Sequence, residues 1–388
     1  MIIALIIVLF LFFVPDIYIF FAFLRQSPMF WRILFFVPTA AGLLSAVGMR
    51  YSGFSSVFGT IFLAALLCFA LPKLLFMVIA LLAKLVGVWS SAAASVVTMV
   101  GLALAGTVSL ISLYGLVFGW KQLETKHVDL YFDDLPAAFD GYRIAHLSDL
   151  HVGTYGKSTA FVEKVVRRVN EEHPDVVLFT GDIVNTDPSE LQPFVSILSQ
   201  FSAPDGVFSV LGNHDYCLYG KPNRWSDLRE GAMLVADIER SMGWTVLLNE
   251  SCLLHRGGEQ IAIAGVENTG KPPFPQIGDL KTALKGVTDY DTVVCEDDVF
   301  TILLSHDPSH WDMEILPMTH IPLTLSGHTH AAQIKIGSWS PSKWMYKEWS
   351  GLYTSDNQSL YISEGVGGTL PFRFGTWPQI VILTLHRK

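Results

Sequence analysis

Gly327-His328-Thr329-His330 follows the apolar run Leu323-Thr324-Leu325. Side chains on a strand alternate with a period of two, so His-x-His sends both imidazoles the same way. Neutral imidazole is the commonest protein metal ligand. Alone, the pair is as readily two packed histidines as a metal site. Four other polar clusters raise its weight: Ser148-Asp149-Leu150-His151, Gly181-Asp182, Gly212-Asn213-His214-Asp215 and Ser305-His306. Each closes a short β-rich run, and sites in α/β sheets form beyond the carboxyl ends of strands. A single Asp or Asn caps a helix, and a single His fills a half-buried gap. Five strand ends that each deliver Asp, Asn or His are not explained so, because buried charges need partners or metals.

In this order the blocks resemble the calcineurin-like metallophosphoesterase superfamily, over roughly residues 127–388. The likeness is strongest to a membrane-associated bacterial branch of phosphodiesterases and UDP-2,3-diacylglucosamine pyrophosphohydrolases. Ser148-Asp149-Leu150-His151 and Pro371-Phe372-Arg373 fit that branch. The resemblance implies two divalent ions. Asp149, His151 and His330 hold one; Asn213, His306 and His328 hold the other; Asp182 bridges them. His214 stands near the leaving-group oxygen as the general acid, and Asp215 orients it through its second ring nitrogen. His328 and His330 thus serve different ions, with Thr329 turned away from both.

The chemistry of these residue types agrees. A phosphoryl group in flight is anionic, and two divalent ions neutralise it while lowering the pKa of a shared water. Mixed N and O donors without thiolate favour Mn²⁺, Fe or Zn²⁺ over Ca²⁺. The expected reaction is attack of a metal-bridging hydroxide on a phosphodiester or pyrophosphate. Tyr155, Lys157, Arg224 and Arg373 are candidate substrate contacts. Ser148, Thr180, Ser305 and Thr329 are candidates to hydrogen-bond the ligands. His146 reads as a packed histidine, and His173, His255, His310 and His320 as surface residues.

The elements that position these groups read as an α/β layer arrangement. Strands are expected at 127–132, 142–147, 175–180, 206–211, 244–248, 260–266, 300–304, 322–325, 333–336, 359–363 and 379–385, and helices at 158–172 and 188–201. Strands dominate the later part, which predicts two packed mixed β-sheets flanked by helices.

That domain occupies residues 121–388, behind a region of different texture. The 388 residues are 51% hydrophobic and only 16% charged, against roughly 25% charged in ordinary soluble domains. Residues 1–120 hold one acid, Asp16, and five bases, so they carry +4 and the remainder −13 of the total −9. Apolar runs near 2–23, 31–48, 54–89 and 96–119 predict about four transmembrane helices, the third either kinked near Pro72 or split in two. A cleavable signal peptide is disfavoured, since no basic stretch precedes the first run. Asp16 and Lys73 read as groups at span edges. The chain is therefore expected to be a multi-pass protein of the cell membrane, with the bilayer as a partner. Its basic loop residues divide almost evenly, which leaves orientation open. The four cysteines, Cys68, Cys217, Cys252 and Cys295, show no disulfide or zinc spacing, which tips the expectation to the cytoplasmic side. The acidic domain excludes a nucleic-acid partner.

The leading expectation is a membrane-anchored phosphoesterase acting on a lipid-linked phosphate substrate. The alternatives are a phosphatase or phosphodiesterase for soluble nucleotides or phosphoproteins, and a transporter or sensor with a regulatory phosphoesterase domain.

Overall fold

The computed structural model describes residues 2–52, 56–220, 228–288, 290 and 299–388. Two units divide it: residues 1–119 with 370–374, and residues 120–369 with 375–388.

The first unit contains four helical stretches long and apolar enough to cross a membrane: Ile6–Leu24, Met29–Arg50, Val57–Gly87 and Ser91–Lys121. The third is one bent stretch. A π-helical turn, Leu66–Ala70, interrupts it just before Pro72. Proline lacks an N–H, so the carbonyl four residues earlier loses its helical partner; Ser109 Oγ of the fourth stretch donates to that Cys68 carbonyl at 2.8 Å.

Asp16 and Lys73 do not sit at span edges as expected. Lys73 Nζ lies 2.7 Å from Asp16 Oδ1 and donates to the Phe35 carbonyl at 3.0 Å, while Thr39 Oγ1 donates to Asp16 Oδ2 at 2.6 Å. Asp16 is fully buried. Each of these three polar residues directly follows a proline, Pro15, Pro38 or Pro72. A lone charge among apolar helices is costly, and pairing is how it persists.

The second unit is two six-stranded mixed sheets. The first has the order β1-β12-β2-β3-β4-β5, built from β1 (Glu124–Phe132), β2 (Tyr142–Leu147), β3 (Val176–Phe179), β4 (Val207–Ser209), β5 (Thr245–Val246) and β12 (Gln379–Arg387). The other has the order β10-β11-β9-β8-β7-β6, from β6 (Glu250–Arg256), β7 (Glu259–Gly265), β8 (Thr301–Leu304), β9 (Leu323–Ser326), β10 (Gly351–Ser355) and β11 (Gln358–Ile362). The runs β2-β3-β4-β5 and β7-β8-β9-β11 are parallel.

Alternation along each strand builds three apolar layers. Ile144, Val381 and Leu383 face Ile302, Leu304, Leu323 and Leu325 in the layer between the sheets. Ala145, Leu147, Ile380 and Ile382 face the other way, onto Val162, Val165, Val166 and Val169 of the helix Ala160–Glu171. Leu303 and Ile362 do the same for the outer layer with Trp311 and Ile315. Two expected elements differ. The helix at 188–201 is broken into a 3₁₀ turn, Pro188–Leu191, and a single turn, Val195–Leu198, because Pro193 interrupts it. The strand at 333–336 is replaced by a 3₁₀ turn, His330–Gln333, whose Ala331, Ala332 and Gln333 have φ of 49°, 50° and 58°. Left-handed residues cannot continue a strand.

Candidate metal centre

Five parallel strands deliver the polar clusters from their carboxyl ends: β2 gives Asp149 and His151, β3 Asp182, β4 Asn213 and His214, β8 His306, and β9 His328 and His330. The chain turns sharply there. Asp149, His151, Asp182, His328 and His330 have φ of 57°, 49°, 60°, 70° and 48°. Such conformations cost non-glycine residues about 1–3 kcal/mol each and persist where the surroundings over-determine them. Gly327 permits the close approach of β9 to β2, since a Cβ there would collide with Ser148 Oγ and Asp149 Oδ2.

The donors fall into two groups. Asp149, His151 and His330 form one, and Asp182, His306 and His328 the other; within each, the donor atoms lie within 4.8 Å of one another. His330 Nε2 is 3.2 Å from Asp149 Oδ1 and 3.3 Å from His151 Nε2. Asn213 joins the second group, its Oδ1 3.2 Å from His306 Nε2, and His328 Nδ1 is also 3.2 Å from that nitrogen. Asp182 Oδ2 lies between the groups, 3.2 Å from His306 Nε2 and 3.6 Å from His151 Nε2. Thr329 turns away and donates to the Trp349 carbonyl at 2.6 Å.

The donor set fits metal ions. His151 Nδ1 faces the Val184 carbonyl at 3.2 Å and His306 Nδ1 the Thr180 carbonyl at 2.7 Å, which fixes the N–H on Nδ1 and turns the Nε2 lone pair inward. His151 Nε2 and His330 Nε2 face each other at 3.3 Å, and a divalent ion would take both as ligands. Burial lowers His151 to about 3 and His328 to about 4, so both rings stay neutral. Burial also opposes a charge on His306, but Asp182 outweighs it and pushes that ring up to about 10, so without an ion Nε2 carries a proton that a bound metal would displace. Burial resists the charge on Asp182 in turn, yet His306, then His214, holds it well below the usual carboxylate range. Burial raises Asp149 to about 6. Two carboxylates, four imidazoles and one amide oxygen form the mixed N and O set that a divalent ion takes.

The calcineurin-like phosphoesterase family matches residues 142–332. The metallophosphoesterase YkuE of Bacillus subtilis is 30% identical over 277 residues, 68% of this chain and 86% of the Bacillus protein.

The chain belongs to the calcineurin-like metallophosphoesterase family.

Two further relatives extend the comparison. A transmembrane protein with metallophosphoesterase domain from Danio rerio is 28% identical over 72% of this chain, which spans 61% of the fish protein. The UDP-2,3-diacylglucosamine pyrophosphatase LpxG of Chlamydia trachomatis is 27% identical over 64% of this chain and 86% of its own length. Members of this family are phosphoesterases working through paired divalent ions, and the described residues contain two groups that could each hold one.

The metallophosphoesterase departs from expectation at Asp215. Its carboxylate does not touch the His214 ring. It accepts from the backbone N–H groups of Asp182 (2.7 Å), Gly212 (2.8 Å), Ile183 (2.9 Å) and Val184 (3.2 Å). Burial and the neighbouring Asp182 push Asp215 up to about 7, while these donors act the other way. It therefore ties the β3 and β4 turns together. His214 Nδ1 instead faces the Asn185 carbonyl at 2.7 Å, and the backbone N–H of His214 donates to Asp182 Oδ1 at 2.8 Å. Its ring stands perpendicular to His151, centroids 4.8 Å apart.

The expected substrate contacts scatter. Lys157 is exposed on the turn after the 3₁₀ segment Val152–Tyr155. Tyr155 is packed between Trp120 and Phe161, centroids 5.8 and 5.1 Å away, and so is a core residue. Arg373 is also buried, its N–H donating to the Gly115 carbonyl at 3.3 Å. Arg224 lies outside the described residues. His310, expected at the surface, is buried between Ser305 Oγ (2.9 Å) and Glu314 Oε2 (2.8 Å). His146 is packed as expected, beside Thr180 Oγ1 at 2.9 Å.

Three aromatic neighbours escaped the sequence reading. Tyr346 Oη is 2.7 Å from His328 Nε2, Phe274 stands edge-on to His328 at 4.6 Å, and Tyr219 Oη accepts from Asn213 Nδ2 at 3.0 Å. They come from loops, where no periodicity marks a residue. Only the direct adjacency of Tyr219 to the Asn213-His214 block hinted at its place.

Proposed function

We propose that this metallophosphoesterase hydrolyses a phosphodiester or pyrophosphate bond in a lipid-linked substrate at a bilayer surface. The observation that carries the reading is the pairing, in one chain, of the Asp182-linked donor groups with four membrane-length helices. The last of these ends at Lys121, directly before β1. The likeness to LpxG, named for a diacylated substrate, supports the lipid-linked class. The free thiols Cys217 and Cys252 support a reducing, cytoplasmic location for the second unit.

Asp149, His151 and His330 would hold one ion, Asn213, His306 and His328 the second, with Asp182 shared. Bound divalent ions supply charge neutralisation and an activated water. The chain's own residues do the rest. Asp182, fixed by the His214 N–H, holds the donor groups in register. The Asn185 carbonyl accepts a hydrogen bond from His214 Nδ1–H, so the protonated ring would donate its Nε2 proton to the departing oxygen.

The test is an assay of the full chain in detergent with Mn²⁺ against lipid pyrophosphates, cyclic nucleotides and a generic aryl phosphodiester. Cleavage of a lipid pyrophosphate is the expected result, and cleavage of the generic ester alone overturns the lipid assignment.

A further inference from the structure

The segment from Ala331 to Lys347 leaves the metal centre through His330 and carries Lys335, Lys343 and Lys347 but no acid, within residues 121–388 of net charge −13. Its outer face is apolar. Ile336, Trp339, Trp344 and Met345 are 62%, 39%, 76% and 72% exposed. Trp339 and Trp344 meet edge to face with centroids 5.5 Å apart, Ile336 is bridged to Trp339 through the backbone, and Met345 follows Trp344 in the chain. Exposed apolar patches of this kind mark interaction sites.

The patch is held firmly. Ser340 Oγ donates to the Ala331 carbonyl at 2.6 Å, Ser342 Oγ to the Thr329 carbonyl at 3.3 Å, and Tyr346 Oη meets His328 Nε2 at 2.7 Å. Lys335 and Lys347 are paired with Glu364 and with Asp312 and Glu348, while Lys343 is exposed beside Trp344. Tryptophan and lysine on a rigid turn suit the headgroup layer, where an aromatic ring meets acyl chains and an ammonium meets phosphate.

We propose that the turn Ile336–Met345 seats in the surface of an anionic bilayer and brings the His328 side of the metal centre to headgroup height. The chain carries its own tether to such a surface. The last membrane-length helix ends at Lys121 and β1 begins at Glu124. An apolar patch on a tethered unit meets lipid at far higher effective concentration than any soluble partner. The inference rests on the membrane reading above but not on the identity of the substrate.

The experiment places a nitroxide at Met345→Cys in the full chain, reconstituted in nanodiscs of phosphatidylglycerol and phosphatidylcholine. Glu171→Cys, 55% exposed on its helix, is the aqueous control, and the labelled unsubstituted chain sets the cysteine background. The expected result is oxygen access above nickel-chelate access at Met345→Cys, at a depth of about 5–10 Å, the reverse at Glu171→Cys, and a shallower label when Lys343→Ala is added. Trp344→Cys should repeat the pattern. Nickel access at position 345 equal to that at 171 overturns the proposal. Shielding from both reagents also overturns it, because protein then covers the patch. Cleavage of soluble esters alone would sink the lipid substrate yet leave these depths unchanged, so the two readings fail separately.

Discussion

His214 Nδ1 lies 2.7 Å from the carbonyl oxygen of Asn185, three residues past Asp182. A backbone carbonyl only accepts, so it fixes the Nδ1–H tautomer and leaves Nε2 for the reaction. His214→Ala should lower turnover by about 10²–10⁴, most on esters with poor leaving groups, and leave bound metal unchanged. Full rate on a poor leaving group would remove His214 from proton transfer.

Asp215→Asn should behave differently. An amide turns two donors toward a nest of four N–H groups, so the turns that carry Asp182 and Asn213 lose their tie. The expected outcome is a loss of about 3 kcal/mol of stability together with lower metal content, read by denaturant melts and elemental analysis. Normal metal content with a changed pH profile would restore the ring-orienting role.

The two donor groups predict a partition of stoichiometry. His330→Ala and His328→Ala should each reduce bound metal from about two equivalents to about one, while Asp182→Ala should lose both, since its carboxylate lies within reach of both groups. Equal losses in all three variants would contradict a shared Asp182.

His146 offers a pH test. Burial lowers it to about 3 in the folded chain, against an ordinary value near 6.5. The unfolded chain therefore takes up the proton first on acidification. The stability from this site is complete above pH 6.5 and drains away toward pH 3, at about 1.4 kcal/mol per pH unit. Replacing it by glutamine, which keeps a partner for Thr180, should flatten the stability curve across that window. An unchanged slope in paired melts of the two proteins would refute the assignment.

Within the helical unit, Asp16→Ala strands Lys73 among apolar helices and should cost about 3–5 kcal/mol. Asp16→Ala with Lys73→Met should recover most of it, because removing both partners of a buried pair is far cheaper than removing one. Additive losses in a detergent melting series would mean the two charges act independently.

The sequence made the site more legible than its surroundings. Asp149, His151, Asp182, Asn213, His306, His328 and His330 stand out because each ends a β-rich run, and the strands that deliver them were found nearly residue for residue. What escaped depends on distance in the chain. The pairing of Asp16 with Lys73 joins residues 57 apart, and a hydropathy profile registers each only as a break in an apolar run. The Asp215 carboxylate serves backbone groups, which every residue has and no motif marks. Strands β6 and β10 and the helix Leu228–Ser241 were passed over, the helix because a polar sequence precedes it.

The pairing of β1 with β12 has a consequence for how the protein is made. Glu124 lies opposite Gln379 and Phe132 opposite Arg387, and β12 is the strand that joins β1 to β2. The ribosome releases the membrane-length helices, β1 and β2 well before this strand. Until it emerges, β1 and β2 each present an open edge, the template for wrong pairing. The membrane-length helices thus leave the ribosome before the catalytic sheet can close, and a stall in synthesis before residue 379 leaves a half-zipped domain as a substrate for chaperones or proteases.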